Sequence, residues 1–503
     1  MTKTKMKAQS GTTSLKPIRM IQLGLGLHSA RTIVPHVHEL ERQGLDASVK
    51  VAVDLESSKP SVIERAEKLG DAKPEEIIFI SPDSTMTIDS RTELLLNRLV
   101  KKHDVNTASV SVPPEAHFPY AMWALRQNLS VNLDKPITTR TDSVNSLSAA
   151  RGIIDDYEEL MNESGPARQR AAVCVSLNAQ RPFMPVYATL LDRISEVVER
   201  TGQPVTNVTA CQADGQARFG SEIIDIAYHG YRNGVGKVSH SGYHLLDMVC
   251  RILKVGTLPD QRPDYLIVRS SFRQPDALVV AMPRSSWRAL FEPSFGDLEG
   301  YTDAELIELG RRMGEVDAHI SIDAIRNGAI LTTINIHLQH DTVAARSTLC
   351  RPDNLYKGSG RLKRELWHVD QGLMQSMRIE TIQAEDKHDN PGAKGDNVGD
   401  PNHLELVCVR NDQLVGSGQR IERLMASDLA GSDQNRLHSE QGKMAALSEF
   451  AACVQGRLHR AFLTSDLSVH RLGVHLMSAA YESHILRGTD RMSDGSVLVE
   501  WAE

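Results

Sequence analysis

A short apolar run, Ile18–Leu23, passes directly into Gly24-Leu25-Gly26-Leu27-His28-Ser29 and then into a helical pattern from about Leu27 to Gln43. A strand, a turn with two glycines and a helix, in that order, can lay a dinucleotide's pyrophosphate on a helix N-terminus. Gly24 permits the tight turn, Gly26 lets the backbone approach the phosphates, and the helix offers amide donors and the positive end of its dipole. Ser29 stands where a third glycine or alanine is usual. The next strand, Val49–Val53, ends in Asp54, 25 residues after Ser29. A carboxylate there accepts the ribose hydroxyls and repels a 2′-phosphate, which favours NAD over NADP. The competing reading is a solvated strand-end acid, with Ser57, Ser58 and Lys59 at hand for a phosphate.

Further apolar runs at Ile77–Ile80, Ala108–Val112, Ser130–Leu133 and Ala172–Leu177 alternate with helix-length segments. Such strands imply a parallel sheet covered on both faces, a doubly wound α/β fold. The chain of 503 residues is long enough for two or three domains. A net charge of -7 without long runs of one sign gives no basic surface for nucleic acid. The six cysteines are far apart with no C-x-x-C pair, so they read as reduced thiols rather than a zinc ribbon or a disulfide framework. The first 16 residues are polar and basic, read as a disordered tail, and neither a signal peptide nor a membrane span is expected. The expected location is the cytoplasm.

Ser109-Val110-Ser111-Val112-Pro113-Pro114-Glu115-Ala116-His117 ends one strand in a double proline, and Val131-Asn132-Leu133-Asp134-Lys135-Pro136 ends the next in an acid-Lys-Pro triplet. In this order and spacing the chain resembles the Gfo/Idh/MocA oxidoreductases. The resemblance implies that Lys135 faces the nicotinamide and the substrate, and that Pro113, Pro114, His117 and Asp134 line the cofactor with Gly24, Gly26, Leu27, His28, Ser29 and Asp54. Asp134 replaces the commoner Glu. Independently, ligands of open parallel sheets collect outside the carboxyl ends of the strands, where Gly24, Asp54, Pro113 and Lys135 all stand.

The segment Ser239–Leu253 fits an amphipathic helix in which His240, His244 and Asp247 share a face. The family carries D-x-x-x-H-x-x-D here, so the resemblance makes His244 the acid/base and leaves His240 in place of the first acid. Three readings compete: His244 as general base beside Lys135, with an imidazole suited to neutral pH; His240 and His244 as ligands of zinc or manganese; and structural helix-face histidines. The first is preferred, and no metal is expected. Tyr243, Asp247, Arg181 and Arg232 are candidate substrate contacts, with Asn178, Tyr228 and Tyr231 as weaker ones.

From about Pro204 the runs lengthen: Val205–Ala213, Tyr265–Arg269, Ala277–Met282, His319–Asp323, Ala329–Leu338, Met377–Ile382 and Leu404–Val409. Alternation in these runs indicates a mostly antiparallel open sheet, and two helices close the chain. The expected division is 17–180 for a Rossmann domain and 181–503 for an α+β domain that binds substrate and forms a homodimer or homotetramer. Two insertions stand out: 293–316, with a Thr302–Glu305 capping box, and the polar run Glu385–Asn402, read as an exposed loop. The resemblance implies an NAD-dependent oxidoreductase that takes hydride from a secondary alcohol of a sugar, cyclitol or related polyol. Relatives that use NAD to assist glycoside cleavage or elimination, and relatives that only sense a ligand, supply the alternatives.

Overall fold

The computed structural model describes residues 15–501 apart from 85, 217, 226–229, 292–299, 345–360, 384–401, 417, 430–437 and 490–492. The first sheet contains β1 (Ile18–Leu23), β2 (Ala47–Leu55), β3 (Glu76–Ile80), β4 (Thr107–Val110), β5 (Ser130–Leu133) and β6 (Val175–Leu177). The strands run parallel in the order β3-β2-β1-β4-β5-β6. Every residue of β4, β5 and β6 is buried, as apolar strands covered on both faces must be. The strand order reverses between β1 and β4, and this switch point is where a crevice opens at the carboxyl ends.

The second sheet has nine strands: β7 (Asn207–Ala213), β8 (Tyr265–Arg273), β9 (Asp317–Arg326), β10 (Ala329–Gln339), β11 (Lys363–Gln371), β12 (Gln375–Gln383), β13 (Leu404–Arg410), β14 (Ile421–Met425) and β15 (Val497–Glu500). Their order is β14-β13-β12-β11-β7-β10-β9-β8-β15, antiparallel except where β7 meets β10. This is the expected α/β architecture. Helices Tyr243–Val255 and Arg471–Thr489 pack together, and the second also lies against β8 and the helix Leu147–Ala171. One apolar core therefore runs from Ile21 and Leu133 of the first sheet through Leu246 and Met477 to Ile336 and Trp367 of the second.

Several local expectations are corrected. Ala277–Met282 is not a strand. The helix Pro275–Ala281 forms there because proline at the first helical positions forfeits no hydrogen bond and Asp276 meets the helix dipole. The helix expected at Ser239–Leu253 opens with a π-turn, Val238–Gly242, before the α-helix begins at Tyr243. The capping box is present at Thr302 and Glu305 and starts the helix Asp303–Gly310. The polar segment 385–401 lies outside the described residues. The reading of all cysteines as reduced also fails: Cys174 and Cys453 form a disulfide across 279 residues, with their Cα atoms 6.5 Å apart. Such a separation gives no local spacing signal. The bond fastens the end of the helix His438–Val454 beside β6, while Cys211, Cys250 and Cys408 remain thiols.

Candidate active site

The glycine turn has the shape that a dinucleotide requires. Gly24 has φ +82°, and a Cβ on it would stand 2.4 Å from the Ser111 carbonyl oxygen, so no other residue fits. At Gly26 a Cβ would meet nothing within 4 Å, which leaves the approach to the helix N-terminus open. Ser29 Oγ donates to the carbonyls of Gly24 and Gly26 at 2.8 and 3.1 Å, fixing the turn that a third glycine would leave loose. Asp54 is fastened to the same turn: its Oδ2 accepts from Leu25 N at 2.7 Å and its Oδ1 from Leu55 N at 2.7 Å. Arg65 Nε donates to Leu25 O at 3.0 Å. Leu27 is exposed at the helix start. These residues fit the adenosine and pyrophosphate of a nicotinamide dinucleotide.

At the ends of β4 and β5, Pro113 and Pro114 turn the chain into the helix His117–Arg126. His117 differs from expectation. Its ring is enclosed, with Nδ1 2.6 Å from Pro136 O and Nε2 3.0 Å from Val112 O, so it braces the two strand ends rather than facing the cofactor. Burial pushes its pKa down, against the Asp134 charge and the two carbonyl contacts. The peptide between Lys135 and Pro136 is cis. Burial alone would raise the Asp134 carboxyl, but the charges of Lys135, His28 and His117 and the Lys135 N–H at 2.9 Å hold it below the usual range. His28 reaches Asn178 at 3.1 Å. His28, Asp134, Lys135 and Asn178 thus gather at one end of the sheet.

His244 meets this group from the other sheet's side. It is 8% exposed, and its Nδ1 has no hydrogen-bond partner among the described residues. Burial drives its pKa well below the ordinary value, and the positive charges of Arg181, Lys135, Lys363 and Lys443 depress it further. At neutral pH the ring is therefore an uncharged base. Lys363 begins β11 and Lys443 lies on the helix His438–Val454; neither was singled out from sequence. His240, in the π-turn, is partly exposed. Among the described residues no three His, Cys, Asp or Glu side chains are arranged to hold a metal ion.

The candidate substrate contacts mostly lie elsewhere. Asp247 is buried against Arg251 at 3.1 Å and His470 at 3.2 Å, which hold its carboxyl far below its usual pKa despite burial. Tyr243 is fully buried and tilted against His470. Arg232 donates to Ile224 O, lies 3.6 Å from Asp225 and borders an open hollow with Tyr301 and Arg312. Arg181 is near His244, but its Nε and Nη2 are bonded to Glu365 at 2.9 and 2.5 Å. Tyr187 and Trp367 also donate to Glu365. Burial opposes charge on that carboxyl, yet Arg181, the Lys363 charge and the Trp367 bond bring its pKa to about 2.

Residues 56–152 match the family model described as the oxidoreductase family with an NAD-binding Rossmann fold, a stretch that contains Pro113, Asp134 and Lys135. The model is that of the Gfo/Idh/MocA oxidoreductases. No curated protein matches the chain. Among solved structures, YvaA from Bacillus subtilis is 12% identical with a TM-score of 0.54, covering 98% of this chain and 100% of that one. An aldose-aldose oxidoreductase from Caulobacter crescentus, complexed with glycerol, is 13% identical with a TM-score of 0.52 over 97% and 100% of the two chains. The WlbA dehydrogenase from Bordetella pertussis, in complex with NADH and UDP-GlcNAcA, gives 13%, 0.52, 97% and 100%. These likenesses are of fold. The match of residues 56–152 supports an NAD(P)-dependent oxidoreductase, and the glycine turn fits that cofactor.

Proposed function

We propose that the chain is an NAD-dependent dehydrogenase acting on a secondary alcohol of a sugar, cyclitol or related polyol, with residues 17–180 holding the cofactor and 181–503 the substrate. The observation that carries this reading is the buried Nδ1 of His244, unpartnered among the described residues and within reach of the Lys135 charge. Gly24, Gly26, Leu27, Ser29 and Asp54 hold the dinucleotide, and Pro113, Asp134 and Lys135 border its nicotinamide. NAD held there would supply the acceptor for hydride from the carbinol carbon. His244 accepts the alcohol proton, and Lys135 donates a hydrogen bond to the same oxygen, stabilising the charge that develops there. Burial keeps the imidazole neutral, and the charge of Arg181, locked to Glu365, adds to the effect.

The carbohydrate class draws support from the fold neighbours, one complexed with glycerol and one with UDP-GlcNAcA. Exposed Leu366, Val409 and Leu498, on strands of the second sheet, support assembly with a second copy through the sheet's outer side. Nicotinamide absorbance after mixing the protein with NAD and a panel of polyols tests the reading. Accumulating NADH supports it. Cleavage of an aryl glycoside without NADH accumulation would move the chain to redox-assisted cleavage, and binding without turnover would make it a sensor.

A further inference from the structure

The four cations whose charge reaches His244 are unequally committed. Arg181 is bonded to Glu365, and Lys443 lies 3.4 Å from Glu440. The ammonium groups of Lys135 and Lys363 have no hydrogen-bond or ion-pair partner among the described residues. Lys135 serves the reacting oxygen in the reading above. Lys363 has no such employment.

Its position is set by the strand. Alternate residues of a strand share a face, so Lys363, Glu365 and Trp367 point inward together, with the outward Arg364, Leu366 and His368 all exposed. Glu365 is the residue that meets Arg181 across the cleft. The neighbouring lysine, Lys237, shows how the fold satisfies a buried ammonium when it means to: Asp214 stands 2.7 Å away and the Gln339 carbonyl accepts a hydrogen bond. Lys363 is partly buried and, among the described residues, has neither. Burial pushes its pKa down, with Arg361 and Arg181 adding to the effect and Glu365 and Asp214 opposing it. Keeping an unmatched cation out of bulk water is costly, and a bound anion removes that cost.

We propose that the substrate is a polyhydroxy acid, such as an aldonate or uronate, whose carboxylate is held by Lys363 while its carbinol lies between Lys135 and His244. This rests on the dehydrogenase reading and names its substrate class. A carboxylate suits the site better than a phosphate. Phosphate dianions are usually met by a guanidinium fork or a helix N-terminus. The guanidiniums here are already engaged, Arg181 with Glu365 and Arg361 with Asp214. One unmatched ammonium balances one negative charge.

The test uses the full chain and two readouts. The first is calorimetric binding of aldonates, uronates, their neutral parent polyols and a sugar phosphate to the NADH complex. The second is the rate of NADH formation with the same panel and NAD. One acid should bind and react at least tenfold better than its neutral parent and than the sugar phosphate. Lys363→Met should lower the acid-over-neutral preference about 10- to 100-fold, the loss expected for one charge-assisted hydrogen bond, mainly through KM, and Lys363→Arg should recover part of it. Equal preference for the neutral parent, stronger binding of the phosphate, or an unchanged preference in Lys363→Met would overturn the proposal and leave the dehydrogenase reading standing. An acid that binds through Lys363 without forming NADH would keep the ligand class and remove the dehydrogenase reading. If neither acid nor polyol binds, both fall.

Discussion

The guanidinium of Arg181 and the carboxylate of Glu365 form a buried, two-bonded ion pair, at 2.9 and 2.5 Å, that ties the turn after β6 to β11 of the second sheet. Both side chains are no more than 6% exposed. Removing one partner strands the other charge in the interior, which costs about 3–5 kcal/mol. Glu365→Ala should therefore lower unfolding free energy by about that amount in urea titrations. Arg181→Met combined with Glu365→Leu should recover much of the loss, since neither charge is then left alone. A single substitution within about 1 kcal/mol of wild type, a loss typical of an exposed pair, would show that the pair is not shielded from water as described.

His244 as general base should contribute about 10²- to 10⁴-fold to turnover. His244→Ala should lose that factor with NAD affinity nearly unchanged, and His240→Ala should lose less. Lys135→Met should also depress turnover, and the double loss should fall short of the product of the single losses if both serve one oxygen. A larger effect at His240 would make it the base. The pH profile offers a separate check. The His244 pKa is depressed, so its base form persists as pH falls below the ordinary histidine range. The acid limb of kcat/KM should lie below the ordinary histidine value of about 6.5. Lys363→Met removes one of the depressing charges and should move that limb upward.

Asp54 governs the choice of dinucleotide in the proposed site. Its carboxylate is held at the glycine turn by Leu25 N and Leu55 N, where a 2′-phosphate would meet a fixed negative charge. NAD(H) should bind more tightly than NADP(H), and Asp54→Ala should narrow the gap by calorimetry, helped by Arg65 beside Leu25. Tighter binding of NADP(H) by the wild-type chain would reverse the assignment.

Much of the first sheet was legible because each of its strands is a short apolar run that ends at a turn with its own chemistry: Gly24, Asp54, Pro113 and Lys135. The second sheet was less so. β11 escaped notice because its inward residues include Lys363, Glu365 and Gln371, so the alternation that marks a half-buried strand is reversed in charge where the strand borders the cleft. The residues that a pattern search discards are there the ones beside His244. Asp247 and Tyr243 were misplaced for a related reason. Helical spacing puts residues on a face, but it does not say that Arg251 and His470 wait on that face to bury an acid.

Glu315 gives the last prediction. Its Oε1 accepts from Val238 N at 2.7 Å and Tyr481 OH at 3.0 Å, so it joins the π-turn that carries His240 to the helix Arg471–Thr489. The side chain is fully buried with Oε2 unpartnered among the described residues, and burial raises its pKa to about 7 although these bonds oppose the rise. An acid whose pKa is raised by folding keeps its proton in the native state while the unfolded chain, near 4.5, has lost its own. Stability from this group is present below about pH 4.5 and declines as pH rises through 7, by about 3 kcal/mol in all at roughly 1.4 kcal/mol per unit. Glu315→Gln mimics the protonated acid at every pH. It should match wild type near pH 5, exceed it by about 1–3 kcal/mol at pH 8, and flatten the pH dependence between those values. If urea titrations show Glu315→Gln to be less stable than wild type at pH 8, the carboxylate is ionised and stabilising in the folded chain, and the raised pKa is wrong.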